Sequence, residues 1–499
     1  MTNLGYTPEE PICAIATALA PGAIGIVRAS GTGCIEKAAE LFSRKDALKN
    51  AQANTLVYGW ICDPETKQKI DQVMAGIYRA PKSFTGEDMV EIFCHGGINV
   101  VKAIHSLFLK NGFRQAERGE FTFRAYINGK TDLTKAEAVR EIIDSKTNAS
   151  RSRACGRLAG NLFEEIDAVK KLVVDSLAAI EVEIEYPEDE ENISDTFDES
   201  KLVLAKEKLN TLASSWKSEK LYQDGAKVVL CGKTNAGKSS LFNSLLKEER
   251  AIVSDIEGTT RDWLESYADF DGIPVRLFDT AGLRKTDDVI EEKGVELTKD
   301  LSKEADLVLY LIDSLKGLSN EDKTFIEEHK KNSPVPLILV FNKCENAGTA
   351  LDSSTADSDT AAGVNSSAGV ASSTAEGAGA GVPCANAASS TSGSRSVYIS
   401  AKTGLGISEL VKCVKEALES SASSEKETAG LGSERQKECV CSALERIEHA
   451  LLTARSGEYG LDAVVQDLED SLDSLGEVTG SVTPEDVLGS VFANFCVGK

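Results

Sequence analysis

Residues 226–246 read AKVVLCGKTNAGKSSLFNSLL. The run Ala226 to Cys231 has the apolar character of a buried strand, and the SLFNSLL pattern after the last lysine is helical. Between them stands Gly232-Lys233-Thr234-Asn235-Ala236-Gly237-Lys238-Ser239, which fits G-x-x-x-x-G-K-S in the required strand–loop–helix setting. Glycines let backbone N–H groups close on phosphate oxygens, and a helix N-terminus adds favourable dipole charge there. Lys238 is expected to reach the β- and γ-phosphates and Ser239 to ligate Mg²⁺, with Asn235, Ala236, Gly237 and Ser240 completing the phosphate-facing stretch. Strand and helix patterns alternate from Lys227 to about Leu418, the signature of an α/β domain.

Four more segments follow in order. Gly258-Thr259-Thr260-Arg261-Asp262 offers a threonine for Mg²⁺ and the γ-phosphate, as a switch segment does, and Ser254, Asp255, Ile256 and Glu257 before it are expected in the GTP site. The strand VRLF leads to Asp279-Thr280-Ala281-Gly282, where Asp279 would hold magnesium through its water shell and the Gly282 N–H would sense the γ-phosphate. LILVF leads to Asn342-Lys343-Cys344-Glu345, and SVYI to Ser400-Ala401-Lys402. The guanine-reading form of the third segment is Asn-Lys-x-Asp; here Glu345 keeps the carboxylate, one methylene longer. The set predicts a GTP-binding site. Leu283 stands where many GTPases carry a water-orienting glutamine, so hydrolysis needs another group. Glu291 is one candidate, beside Asp287, Asp288 and Glu292.

The chain has 499 residues, enough for several domains. No secretory signal or membrane-length apolar run is present, so a soluble, cytoplasmic protein is expected. Twelve cysteines without paired metal spacing, and four histidines, argue against a thiolate or histidine metal centre. A net charge of −24 disfavours nucleic acid except through a local basic surface. Residues 1–128 mix β-rich runs (ICAIAT, IGIVRAS, DQVMAGIYRA, DMVEIFC) with helical patterns, an α+β domain. Residues 129–224 read as helical, 225–418 as α/β, and 419–499 as helical again. Thr483 is positioned to cap the last helix, with Pro484 in its first turn. The two helical parts are expected to pack together, with the α/β domain inserted between them. Residues 346–394 are rich in Ala, Ser, Gly and Thr, with four acids and no Lys or Arg; they read as a disordered loop.

The flanks resemble the bacterial and organellar tRNA-modifying GTPase family known as MnmE or TrmE. The resemblance rests on PGAIGIVRASG (21–31), SFTGEDMVEIFCHGG (83–97), RGEFTFRAYINGKTDLTKAEA (118–138), the GTPase motifs, and the ending TPEDVLGSVFANFCVGK. It implies a Ras-like G domain inserted in a helical domain and preceded by an α+β domain. That first domain would form a homodimer and bind a one-carbon tetrahydrofolate (the 5,10-methylene form, with a 5-formyl analogue) through Arg28, Glu91 and Lys130, helped by Lys499. The resemblance also implies G domains that pair transiently around K⁺ held by Asn235, Ser254, Ile256 and Thr259, Mg²⁺ on Ser239 and Thr260, and Glu291 as the water-orienting acid. It further implies a heterotetramer with the FAD-dependent MnmG (GidA) protein, acting on the wobble uridine of tRNA, with Cys496 catalytic. His95 is expected to be structural. A second reading is a regulatory GTPase of the ribosome-assembly type, whose flanks serve only as docking surfaces.

Overall fold

The computed structural model describes residues 10–185, 199–247, 251–252, 264–279, 305–345, 395–420, 430–456 and 461–499. The chain divides into two compact units, one of residues 1–145, 151–219 and 425–499, the other of 146–150 and 220–424.

The first unit opens with β1 (Ile12–Ile15), β2 (Ile24–Ser30), α1 (Cys34–Glu40), α2 (Lys45–Lys49), β3 (Thr55–Cys62), β4 (Lys69–Tyr78), β5 (Met89–His95), α3 (Ile98–Lys110) and β6 (Arg114–Gln115). The sheet order is β3-β4-β5-β2-β1-β6. Strand residues alternate, so one face (Val27, Ala29, Ile61, Ala75, Ile77, Val90, Ile92) joins Ile35, Leu48, Ile104 and Phe108 of the helices in a core. The other face carries the cross-strand row Leu56, Gly76, Glu91 and Arg28. Beside that row lie exposed Tyr58 and Met74.

Helices follow: α4 (Glu120–Ile127), α5 (Leu133–Asp144), α6 (Asn148–Ala159), α7 (Asn161–Glu185) and α8 (Glu199–Asp224). After the second unit come α12 (Glu434–Ser456), α13 (Leu461–Thr479) and α14 (Glu485–Ala493). Leu162, Ile166 and Val169 of α7 and Leu209 of α8 share one core with Val440 and Ile447 of α12 and Leu468 and Leu475 of α13. Segments on either side of the α/β region therefore bury a common apolar surface, the main source of stability for such helices. Asp132 caps α5 by accepting from the Lys135 N–H. At α14 the expected threonine cap is not formed: Pro484 is the residue before the helix, and no side chain caps it.

The second unit holds β7 (Ala226–Gly232), α9 (Lys238–Leu245), β8 (Ala251–Ile252), β9 (Leu264–Phe270), β10 (Ile273–Asp279), β11 (Leu307–Asp313), α10 (Asn320–Asn332), β12 (Leu337–Asn342), β13 (Arg395–Tyr398) and α11 (Ile407–Ser420). Its sheet order is β13-β12-β11-β7-β10-β9-β8. β7 lies between β10 and β11 and runs parallel to both. Its residues 228–231 are buried, as a central parallel strand requires. The loops at the carboxyl ends of β7, β11, β12 and β13 thus gather on one edge, where ligands of open α/β sheets bind. No helix among the described residues is long and apolar enough to cross a membrane.

Candidate functional site

The loop after β7 is built on three left-handed residues. Gly232 has φ 136°, and a Cβ there would sit 2.4 Å from the Leu311 carbonyl oxygen. Gly237 has φ 99°, and a Cβ there would sit 2.1 Å from Asn342 Nδ2. Asn235 (φ 62°) is of the type that tolerates this conformation best after glycine. Lys238 opens α9, and its buried ammonium donates to the carbonyls of Gly232 (2.7 Å) and Lys233 (2.9 Å). The amine is therefore held over the loop that would receive phosphate. Ser239 and Ser240 are exposed on the first turn of α9. Close backbone, two glycines with no room for a side chain, and a lysine at a helix start form a cradle that fits phosphate and its Mg²⁺.

Asn342 joins three of the predicted segments. Its Nδ2 donates to the Ala236 carbonyl at 2.9 Å, and its Oδ1 accepts from the Ala401 N–H at 3.0 Å. The Cys344 N–H reaches the Ile399 carbonyl at 3.1 Å, while the fully buried Ser400 accepts at its carbonyl from the Gly404 N–H. Lys343 has φ 72° and binds Asp313 Oδ2 at 2.7 Å. That contact holds the Asp313 carboxyl below its ordinary range. Asp313 is absent from the motif reading, although an acid ending the apolar strand LVLYLID is a visible signal. Glu345 and Lys402 are exposed and 3.9 Å apart, a weak pair that leaves the Glu345 carboxylate available to a base. Asp279 ends β10. Ser254, Asp255, Ile256, Glu257, Gly258, Thr259, Thr260, Thr280, Ala281, Gly282, Leu283 and Glu291 lie outside the described residues.

A second cluster lies in the first unit. Arg28 on β2 and Glu91 on β5 are register partners. Arg28 meets Glu91 Oε1 through Nη2 at 2.5 Å and Nε at 3.1 Å, and its Nη1 donates to the Gly498 carbonyl at 3.0 Å. The chain end is docked by further backbone contacts: Phe121 N–H to the Lys499 carbonyl (3.2 Å), Gly119 N–H to the Cys496 carbonyl (3.4 Å), and a bridge between Arg118 and Val497. Gly498 (φ 93°) passes so close to the Ile15 carbonyl that a Cβ would lie 2.7 Å from it. Partial burial, with Arg28 nearby, pushes the Lys499 amine below its ordinary pKa. Cys496 is exposed. The Tyr78 hydroxyl donates to Glu91 Oε2 at 3.3 Å, a partner the sequence reading does not include. Arg28, Glu91, Cys496 and Lys499 are thus brought together. The exposed Lys130 amine donates instead to the Pro81 carbonyl at 2.9 Å. His95 pairs with Asp71 at 2.8 Å. No metal-binding cluster of His, Cys, Asp and Glu occurs among the described residues.

Comparison with known proteins matches residues 11–130 to the model described as "GTP-binding protein TrmE N-terminus" and residues 133–496 to "MnmE helical domain". A protein of Treponema denticola named tRNA modification GTPase MnmE is 47% identical over 99% of both chains. Proteins of the same name from Treponema pallidum and Borreliella burgdorferi are 42% and 39% identical, again over 99% of both. With a family model spanning most of its length and relatives this similar from end to end, the chain belongs to the MnmE (TrmE) family of tRNA modification GTPases.

Proposed function

We propose that the protein is a K⁺-stimulated GTPase that acts with the FAD-dependent MnmG protein on C5 of the wobble uridine of certain tRNAs. It adds an aminomethyl or carboxymethylaminomethyl group whose carbon comes from a tetrahydrofolate and whose amine comes from ammonium or glycine. The observation that carries the folate half of this reading is the double role of Arg28. One guanidinium holds both Glu91 and the Gly498 carbonyl, which brings Cys496 and Lys499 to the same sheet face. Cations there suit the carboxylates of a folate, and the Glu91 carboxylate suits the donors of a pterin. A G domain inserted in the helical domain fits the core shared by α7, α8, α12 and α13.

In the nucleotide site, Lys238 would bind the β- and γ-phosphates, and Ser239 and Thr260 would hold Mg²⁺, which neutralises phosphate charge when bound. Bound K⁺ supplies the charge that an arginine finger supplies elsewhere. Asn235, Ser254, Ile256 and Thr259 hold it, and Glu291 orients the attacking water. Asn342, Lys343 and Glu345 face the guanine beside Ser400, Ala401 and Lys402. A homodimer through the first domain is supported by the outward sheet face, where Ile24, Leu56, Tyr58 and Met74 are more than two-fifths exposed.

The test uses the full chain. Wild type binds 5-formyltetrahydrofolate, and Glu91→Gln weakens it more than tenfold with GTP hydrolysis unchanged. Cys496→Ser keeps GTP hydrolysis and loses wobble-uridine modification. Absence of folate binding by wild type overturns the folate reading. Equal hydrolysis in K⁺ and Na⁺ overturns the potassium reading.

A further inference from the structure

The chain passes between its two units after residues 145, 150, 219 and 424. A buried ion cluster in the first unit sits within a few residues of every crossing. Arg157, 2% exposed, is its hub. Its Nε and Nη2 meet Glu141 Oε2 at 2.7 and 2.5 Å, just before the first crossing. Its Nη1 meets Glu219 Oε2 at 2.9 Å, at the third crossing, and the Gly430 carbonyl at 3.3 Å, in the first described residue after the fourth. Arg153, just after the second crossing, pairs with the other oxygen of Glu219.

The returning segment is shaped to this cluster. A Cβ on Gly430 would lie 2.3 Å from the Glu219 carboxyl, and one on Gly432 would lie 2.1 Å from Glu141 Oε1. Neither glycine has a positive φ, so space rather than backbone conformation calls for glycine. The Gly432 N–H continues to Gln436, which binds Glu137 together with Arg435.

We propose that Arg157 is a positioning residue that locks the segments entering and leaving the α/β unit into one block, and that the nucleotide state of that unit reaches the rest of the protein through this lock. The inference rests on membership of a GTPase family and not on the folate reading. A guanidinium can hold two carboxylates and a carbonyl at once because its donors point along fixed directions; an ammonium cannot reproduce that fork. In a water-poor interior such a cluster does not deform by degrees. It keeps its partners or exchanges them, which gives the two discrete arrangements that coupling between sites requires. Glu141 is suited to exchange: one of its oxygens has no hydrogen-bond partner, and burial pushes its carboxyl up to about 7.

The experiment compares full-length wild type with Arg157→Lys and Glu219→Gln. Amide hydrogen exchange is followed in α5, α6, α8 and α12, with GDP and with GDP plus aluminium fluoride. Wild type is expected to show severalfold differences in exchange between the two nucleotide states in these helices. Both variants lose that difference while GTP hydrolysis stays within twofold of wild type. A purely structural role would speed exchange equally in both states and leave the difference intact. If Arg157→Lys does not fold, Glu219→Gln, which keeps the guanidinium, carries the test. Nucleotide-dependent differences retained in the folded variants, or absent from wild type, overturn the proposal.

Discussion

Replacing Asn342 separates holding the site together from reading the base. The side chain is 2% exposed and makes two hydrogen bonds, to the Ala236 carbonyl and from the Ala401 N–H. Each is worth about 1 kcal/mol net, and removing one partner leaves a buried group unpaired at a further cost of about 1 kcal/mol or more. Asn342→Ala should therefore destabilise the α/β unit by about 2–4 kcal/mol, roughly 5–15 °C in melting temperature for a unit of this size. Asn342→Asp keeps the Ala401 contact but turns an oxygen toward the Ala236 carbonyl, so it should be no milder. The phosphate loop then loses its tether, and GDP affinity should fall at least tenfold, equivalent to about 1.4 kcal/mol. The decisive assay is competition by pyrophosphate, which has no base. If Asn342 acts through the loop, pyrophosphate binding weakens alongside GDP binding. A variant melting within about 1 °C of wild type, or one that loses GDP but binds pyrophosphate normally, would refute the scaffold argument.

Three other outcomes follow from the geometry. Tyr78→Phe removes one donor to Glu91 without changing shape. It should weaken 5-formyltetrahydrofolate about fivefold, for a loss near 1 kcal/mol, and add nothing in a Glu91→Gln background; additive effects in titrations would exclude action through Glu91. Glu345→Gln replaces the carboxylate proposed to read guanine by an amide and should cost GTP about tenfold or more while favouring xanthine nucleotides. Unchanged selectivity in a competition assay would remove Glu345 from base reading. Glu141 titrates at an ordinary carboxylate value in the unfolded chain and at about 7 when folded, chiefly because it is buried, against the opposing pull of Arg157 and with smaller contributions from Glu137 and Glu219. Between those values the folded protein holds the proton more tightly. Its contribution is fully present below the unfolded value and is lost as pH rises through about 7, by at most about 3 kcal/mol. Denaturant melts of Glu141→Gln should lack this slope; parallel pH profiles would contradict it.

How much was legible in the sequence depended on the range of the contacts. The phosphate loop is local: strand, glycines, lysine and helix lie within about twenty residues, and each obeys its own conformational rule. The four β-rich runs read in the first domain correspond to β1, β2, β4 and β5. The strand TLVYGWIC carries no such signal in the sequence. Leu56 and Tyr58 lie on its exposed face, so the run is apolar on both sides and lacks polar alternation. Asn342 could be recognised as a motif residue, but its grip on Ala236 spans 106 positions. Tyr78 carries no motif signal and acquires its role only because β4 pairs with β5. The Thr483 cap shows the opposite error: a residue with good capping chemistry stands before a helix that no side chain caps. The switch segments, with Glu291, fall outside the described residues.

The contact from Arg28 to Gly498 also bears on biosynthesis. It closes across 470 positions of sequence. At ribosomal rates of roughly 5–20 residues per second, the arginine emerges about 25–95 s before its carbonyl partner exists. Throughout that interval the first sheet can assemble, but Arg28 has only Glu91 to hold, and the Phe121 N–H lacks the Lys499 carbonyl. Residues 496–499 therefore complete one of the first surfaces to fold, and a chain cut before Gly498 would leave that Arg28 contact unmade.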